Sequence, residues 1–285
     1  MMKMVIVGPG RVGTALALAC QAAGNEIVGA VPSQRVDSRS AKEFEALTRA
    51  PLHPWERAPE RIRFADVVWI TVPDRHIAQV AQWLDHTGAI RSGQVIAHTS
   101  GALTSDAIRC VHSQGAFAAS FHPLQTFASP GMGPRLFEGI TVAIEGERQA
   151  TDRLSALAAS LGAVPVMLDP QNKVRYHAAA VMASNALVAL VGMAADLADL
   201  PTGLSGLLPL VQGAVDNLVR VGIPDALTGP IERGDAETVE QHLHALAGMP
   251  QAREVYAALG RVTVDMALAK GSIDEETARR LRTLL

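Results

Sequence analysis

A chain of 285 residues with 48% hydrophobic and 19% charged residues has the composition of a globular protein with one large or two modest domains. Its formal net charge of −3 lacks the basic surplus that nucleic acid or an anionic membrane surface demands, so neither is expected as a partner. The two cysteines, Cys20 and Cys110, form no C-x-x-C pair and are expected as buried, reduced thiols in helices of a cytoplasmic protein.

The first apolar run, Val5-Ile6-Val7, follows Met1 to Met4 directly and is expected to be a strand rather than part of a signal peptide. It enters Gly8-Pro9-Gly10-Arg11-Val12-Gly13, a G-x-G-x-x-G pattern, and Thr14 to Ala19 continue as good helix formers. Strand, tight turn and helix in that order are what a dinucleotide pyrophosphate requires. Gly8 allows the turn, Gly10 lets backbone approach the phosphates, and Gly13 lets the helix sit close to the strand. The amides opening the helix then face the anion. Pro9, Arg11 and Val12 belong to the same cofactor-binding turn.

Residues 26–31 read as the second strand. An NAD site places an Asp or Glu near the end of that strand to bind the ribose 2′-hydroxyl. Here the end reads Val31-Pro32-Ser33-Gln34-Arg35, with no carboxylate; Ser33 and Arg35, helped by Arg11, suit a 2′-phosphate. The expected cofactor is therefore NADP. A helical stretch over residues 40–50 and a proline-broken connection through Pro51, Pro54 and Pro59 follow.

Residues 65–74 form a buried strand ending at Val72-Pro73-Asp74, expected to line the cofactor, with Asp74 also a candidate helix cap. Two further strands end in chemistry-bearing residues: 94–101 in His98-Thr99-Ser100-Gly101, and 116–121 in His122-Pro123-Leu124-Gln125. In an open α/β sheet those ends share the edge that carries the glycine turn. Residues 139–144 and 164–168 read as closing strands around a helix over 148–161.

Beyond Asp169 the strand signals stop and helices are expected over 171–199, 204–221, 235–247, 251–269 and 274–284. This predicts an α/β fold with an N-terminal Rossmann doubly wound, mostly parallel sheet, residues 1–168. An all-α domain, residues 169–285, follows it. Residues 178–195 carry no charge and match the lower limit of a membrane span, but Ser184, Asn185 and Gly192 interrupt them; a helical core or dimer interface is the expected reading. Along the same helix Lys173, His177, Ser184 and Asn185 fall within an arc of about 120°, a polar stripe expected to face the cofactor cleft. In the break at 226–235, Arg233 is a candidate clamp for an anionic substrate and Asp235 a candidate cap. His242 and His244 lie two apart on a helix and make poor joint ligands, and no cluster has zinc spacing. No hydrolase nucleophile elbow is present.

Several segments in this order carry a resemblance: the glycine turn, Val72-Pro73-Asp74, His98 to Leu103, His122 to Phe127, Tyr176 to Asn185, and Ala226 to Asp235. Together they resemble the Rossmann-like NADP oxidoreductase-type proteins with a C-terminal domain of unknown function. Those proteins lie within the 6-phosphogluconate dehydrogenase-like group, near pyrroline-5-carboxylate and ketopantoate reductases. The resemblance implies NADP-linked redox chemistry and a helical domain that makes a homodimer. It is also similar, more loosely, to prephenate dehydrogenases, whose serine and histidines correspond to Ser100, His122 and His177. Here the Gly-Ser order is reversed, to Ser100-Gly101, and the lysine that follows there is absent.

The expected activity is hydride transfer between NADP(H) and a small polar, carboxylate-bearing carbonyl, imine or hydroxy substrate bound between the domains. His122 is the expected general acid or base, Ser100 the group that orients substrate, and Asn185 and His177 its partners from the helical side. Arg233, Gln125 and Lys173 are expected substrate contacts, and Thr99 a cofactor contact. A non-catalytic NADP-binding sensor and a deazaflavin-linked NADP reductase stand as alternatives.

Overall fold

The computed structural model describes residues 1–32, 37–129 and 133–285. Its contacts divide these into two units, Met1–Ser184 and Asn185–Leu285.

The first unit contains seven strands among the described residues: β1 Lys3–Val7, β2 Glu26–Val31, β3 Val67–Ile70, β4 Val95–His98, β5 Phe117–Pro123, β6 Thr141–Gly146 and β7 Val164–Met167. They form one sheet in the order β2-β1-β3-β4-β5-β6-β7. Strands β1 to β5 are parallel, β6 runs antiparallel to β5, and β7 is parallel to β6. The order reverses between β1 and β3, and such a switch point opens a ligand crevice at the carboxyl ends of the strands.

The central strands are apolar on both faces because both are covered, which is why they read as unbroken runs. On one face Met4, Ile6, Val67, Trp69, Val95 and Ala97 pack against α1 (Arg11–Ala22) and α5 (Arg148–Ser160). On the other, Val5, Val7, Val68, Ile70 and Ile96 meet α3 (Ala58–Ile62) and α4 (Asp74–His86). Helix α2 (Arg39–Thr48) contributes buried Phe44 to the first of these layers. The stretch Ser105–Gln114, expected as a helix around Cys110, is wound as a 3-10 segment. Cys20 is buried on α1, and burial pushes its thiol up to about 12. Cys110 is only half-buried, against expectation, packing on the edge of the cluster that buries Ile108 and Val111.

The predicted boundary at residue 169 moves to 184/185 in the contact division. Helix α6 (Lys173–Val181) stays with the sheet because Lys173 and Tyr176 bond to side chains of β5. A π-helical turn, Met182–Ala186, follows it. Turns of this kind recur where a helix is interrupted at a functional site.

The second unit continues with α7 (Leu187–Ala198), α8 (Leu204–Val221), α9 (Ala236–Ala245), α10 (Pro250–Lys270) and α11 (Glu275–Leu284). Its core is Val239, Leu243, Val264, Ala267, Ala278 and Leu281. Asp235 caps α9 by accepting from the Thr238 amide, as its position predicted. Helices α7 and α8 leave large apolar side chains in the open, with Val188 74%, Leu210 72% and Val219 85% exposed. The stretch Pro170–Ala198 is long and apolar enough by composition to cross a membrane, and its apolar window is not buried within the chain. It therefore does not form a core within one copy of the chain, one of the two readings its composition allowed.

Candidate active site

The glycine turn has the strained geometry its sequence implies. Gly8 has φ +92°, and a Cβ there would lie 2.5 Å from Val72 Cγ1. A Cβ on Gly13 would lie 2.5 Å from Thr71 Oγ1, whose hydroxyl donates to the Gly8 carbonyl at 2.7 Å. Helix α1 thus sits directly against the β1 and β3 ends. Nothing but the Gly8 carbonyl, at 4.0 Å, lies near the Cβ position of Gly10. The helix starts at Gly10 with no side-chain cap and no acidic residue in its first turn. Open space in front of amides that no side chain satisfies fits a dinucleotide pyrophosphate. Arg11 is exposed and Val12 half-buried beside this turn, and Pro9 is buried within it. Ser33 and Arg35 lie outside the described residues.

On the β2 side of the turn is a cavity of about 460 Å³ lined by Trp55, Val72, Pro73, Arg75, His76 and Trp83 among others. Trp55 is held there by donating to the Pro32 carbonyl at 2.8 Å and by an edge-on contact with Trp83.

On the other side of the turn, the face that is apolar near the amino ends of β4 and β5 becomes polar toward their carboxyl ends. Side chains alternate along a strand, so Ile96 and His98 share a face, as do Ala118, Ser120 and His122. His98 is fully buried. It accepts from the Ser100 amide at Nδ1, 3.2 Å, so Nε2 carries the proton and donates to the Thr104 carbonyl at 3.0 Å. Burial, reinforced by the Lys173 charge, pushes this imidazole down to about 4. It is a neutral structural strut.

Ser100 is saturated. Its hydroxyl donates to Asp74 Oδ2 at 2.7 Å and accepts from the Ala102 and Leu103 amides at 3.2 and 3.0 Å. Ser100 was expected to orient substrate; here its one proton and both acceptor directions are engaged within the chain. Ser100 positions Asp74 instead. Asp74 is exposed at the first turn of α4 and makes no side-chain cap bond, so its capping role is corrected as well. Val72 is buried, Pro73 exposed and Thr99 half-buried along the same edge.

Next to Ser100, Gly101 is bare because two imidazoles occupy the space a side chain would need. A Cβ there would collide with His177 Nδ1 and stand 2.7 Å from His122 Nε2. The His122 and His177 rings meet edge-to-face at 5.6 Å. His177 Nδ1 is buried with no hydrogen-bond partner among the described residues. An orphaned polar atom inside a site marks a place for a ligand atom or water. Nδ1 of His122 lies 2.9 Å from the Tyr176 hydroxyl. Burial, then the neighbouring His177 and Lys173, push His122 down to about 4, and burial pushes Tyr176 up to about 12. At neutral pH the pair is an imidazole and a phenol. The hydroxyl can donate to a bare Nδ1 or accept from a protonated one, so the ring is held in either state.

Lys173 was expected at the substrate and is wholly buried instead. Its ammonium donates to Ser120 Oγ at 2.6 Å and lies 3.6 Å from the Glu145 carboxylate, which is 2% exposed. Glu145 also accepts from the Ser105 amide at 2.8 Å and hydroxyl at 2.9 Å. Burial lowers the pKa of Lys173 while Glu145 holds its charge. This is a buried ion pair, with the Lys173 ammonium sealed from solvent. Gln125 is exposed in the turn after β5 and accepts from the Thr126 amide. Asn185 lies in the π-turn at the start of the second unit, and Arg233 is exposed within that unit.

The residues brought together are therefore Asp74, Ser100, His122 and His177. To these the structure adds Tyr176, Glu145 and Ser120, which the sequence did not single out, and His98, expected at the end of its strand. Tyr176 had a signal, since it directly precedes His177. Glu145 had one too: it is the single charge in the strand Thr141–Gly146.

Fold and site define a Rossmann-like protein with polar groups gathered at the strand ends. Residues 1–123 match the Rossmann-like domain family and residues 140–263 match the domain of unknown function DUF2520. The chain thus joins a Rossmann-like domain to a DUF2520 domain, as the ordered motifs implied. It is 29% identical over 232 residues to NovF of Streptomyces niveus, described as a prephenate dehydrogenase, covering 78% of this chain and 59% of that one. The chain therefore spans less than two thirds of that relative's length. In fold it is similar to BF3122 of Bacteroides fragilis, described as an NADP oxidoreductase. The TM-score is 0.75 at 24% identity, over 92% of this chain and 97% of that one. Protein TM1727 of Thermotoga maritima is similar with a TM-score of 0.70 at 22% identity, over 94% and 99% of the two chains.

Proposed function

We propose that the protein is an NADP-dependent oxidoreductase that moves hydride between NADP(H) and a small polar carbonyl, imine or hydroxy compound. The observation that carries this reading is the convergence of His122, His177 and Tyr176 on Gly101, at the same sheet edge as an open, uncapped glycine turn. The names given to NovF and BF3122 support it. The nicotinamide supplies the hydride when bound, and the chain's own residues hold the substrate and move its proton.

The glycine turn holds the pyrophosphate, and the tryptophan-lined cavity on the β2 side is where the adenosine half belongs. Ser33 and Arg35 select the 2′-phosphate by charge-assisted bonds. His122 acts as the base that takes a proton from a donor substrate, or returns it as an acid, with the Tyr176 hydroxyl stabilising each state. His177 offers Nδ1 to a substrate heteroatom. Burial first, then the neighbouring His177 and the ammonium of the Lys173–Glu145 pair, keep the His122 imidazole neutral.

The apolar surface of α7 and α8 supports a homodimer. Val188, Leu210 and Val219 stand largely in the open on these two helices, where a partner could cover them. Val219→Glu is expected to shift the protein to monomer in sedimentation, and an unchanged mass would remove this face from the interface.

The first experiment is calorimetric titration with NADPH and NADH, repeated on Arg35→Ala. Micromolar NADPH binding, weaker NADH binding and loss of that preference in the variant are expected; binding of neither nucleotide overturns the reading. His122→Ala is expected to lower turnover at least tenfold with NADPH affinity unchanged. Binding without turnover of any carbonyl, imine or alcohol would make the protein a nucleotide sensor.

A further inference from the structure

The charge at this edge carries information about the substrate that the motifs do not. Five groups lie close together between α4 and α6: the Asp74 carboxylate, the imidazoles of His98, His122 and His177, and the Tyr176 phenol. The one cation among the described residues of this cluster, Lys173, is sealed from solvent and matched by Glu145. Arg75 turns the other way, donating to His76 beside the tryptophan cavity. The net charge a ligand meets here is negative, and it sits on Asp74.

That carboxylate is oriented rather than loose. Ser100, itself 5% exposed, fixes Oδ2 from below, and the Ala102 and Leu103 amides fix Ser100. Among the described residues no donor reaches Oδ1. Two links in the chain join it to the histidines, since Ser100 holds Asp74 while its neighbour Gly101 packs against His122 and His177. A side chain that spends a buried serine to aim a carboxylate at open space has the form of a ligand-binding group.

We infer that the substrate presents a cationic nitrogen, a protonated imine or amine, to Asp74, and that a carboxylate is disfavoured at this position. The inference rests on the redox reading above and narrows it to C=N and C–N chemistry. An iminium that receives a hydride from NADPH becomes a neutral amine beside the Asp74 carboxylate, and NADP+ is formed. In the reverse direction the ammonium loses a proton to His122 before hydride departs, which requires a neutral imidazole. Burial holds His122 in that state. The neutral Tyr176 and buried Lys173 place no opposing charge in the way.

The test is calorimetric titration of the full chain saturated with NADPH, using cyclohexylammonium and cyclohexanecarboxylate as probes of matched size. Neither accepts hydride, so binding is read without turnover. The ammonium is expected to bind at least fivefold tighter than the carboxylate, with a preference that shrinks as salt is raised. Asp74→Asn keeps the acceptor for Ser100 and removes the charge. It is expected to weaken ammonium binding at least fivefold in protein saturated with NADPH. Tighter binding of the carboxylate, binding of neither probe, or an unchanged ammonium affinity in Asp74→Asn overturns the inference while the redox reading stands. Loss of NADPH affinity in Asp74→Asn also overturns it, and makes the carboxylate a cofactor contact. Failure of NADPH to bind the unaltered protein overturns the redox reading itself.

Discussion

Lys173→Met removes the ammonium from a site with no solvent to replace it. Lys173 is 0% exposed and Glu145 2%. The substitution leaves the Glu145 carboxylate with only the two Ser105 bonds, and takes the 2.6 Å donor from Ser120. Removing one partner of a buried pair costs about 3–5 kcal/mol, because the remaining charge is buried and unmatched. Met is close to Lys in length and apolar, so little of that cost comes from a cavity. For a unit of this size the loss corresponds to a fall in melting temperature of roughly 10 °C. The double variant Lys173→Met/Glu145→Gln takes out both charges and is expected to recover more than half of the stability. Urea unfolding of the wild type, both single variants and the double variant measures the cycle. A cost under about 1 kcal/mol for Lys173→Met, or a double variant less stable than either single one, would refute the buried-pair account. The same variants test the electrostatic role. Without the nearby ammonium, the His122 limb of the pH–rate profile is expected to move to higher pH, which a purely structural lysine would not cause.

Stability is expected to depend on pH through the buried imidazoles. In the unfolded chain His98 takes up its proton near 6.5, whereas in the folded chain it does so only at about 4. Between those values the unfolded state binds more protons, so stability falls as pH falls through the window and is unaffected by this group above it. For fully buried His98 the loss is about 3 kcal/mol. His122 adds in the same direction, by less, because solvent reaches it. A midpoint of urea unfolding that stays level from pH 7 to 4.5 would contradict the neutral assignment. Gly101→Ala is expected to push apart the imidazoles that face it and lower turnover at least tenfold with NADPH affinity within twofold; full activity in that variant would remove the convergence at Gly101 from the site.

Much of the fold was legible in residue order. The strand, turn and helix from Val5 to Ala19 have one physical solution, because glycines at 8 and 13 are the residues that permit the β1–α1–β3 approach seen around Val72 and Thr71. Strand β2 matches its expected span, Glu26–Val31, and the long helices of the second unit fall within a residue or two of their periodic patterns. Local signals set these elements: apolar periodicity, caps such as Asp235 and Asp274, and glycine at the stops.

The site was legible in outline only. That the ends of β4 and β5 carry reactive groups follows from their sequence, which is how His122 was singled out; His177 came from the polar stripe of its helix. Which of those groups is available to a ligand does not follow, because availability depends on partners far along the chain. Ser100 is occupied by Asp74, 26 residues away, and Lys173 is neutralised by Glu145, 28 residues before it. A hydroxyl has one proton and a buried cation needs one counter-charge, so a contact made in the folded chain assigns each of them to a single task. Residue type and spacing therefore determine the strands, the turn and the kinds of group at the sheet edge. The tertiary structure decides which groups are struts, which are spent on each other, and which, like the Asp74 carboxylate, stay exposed at the sheet edge.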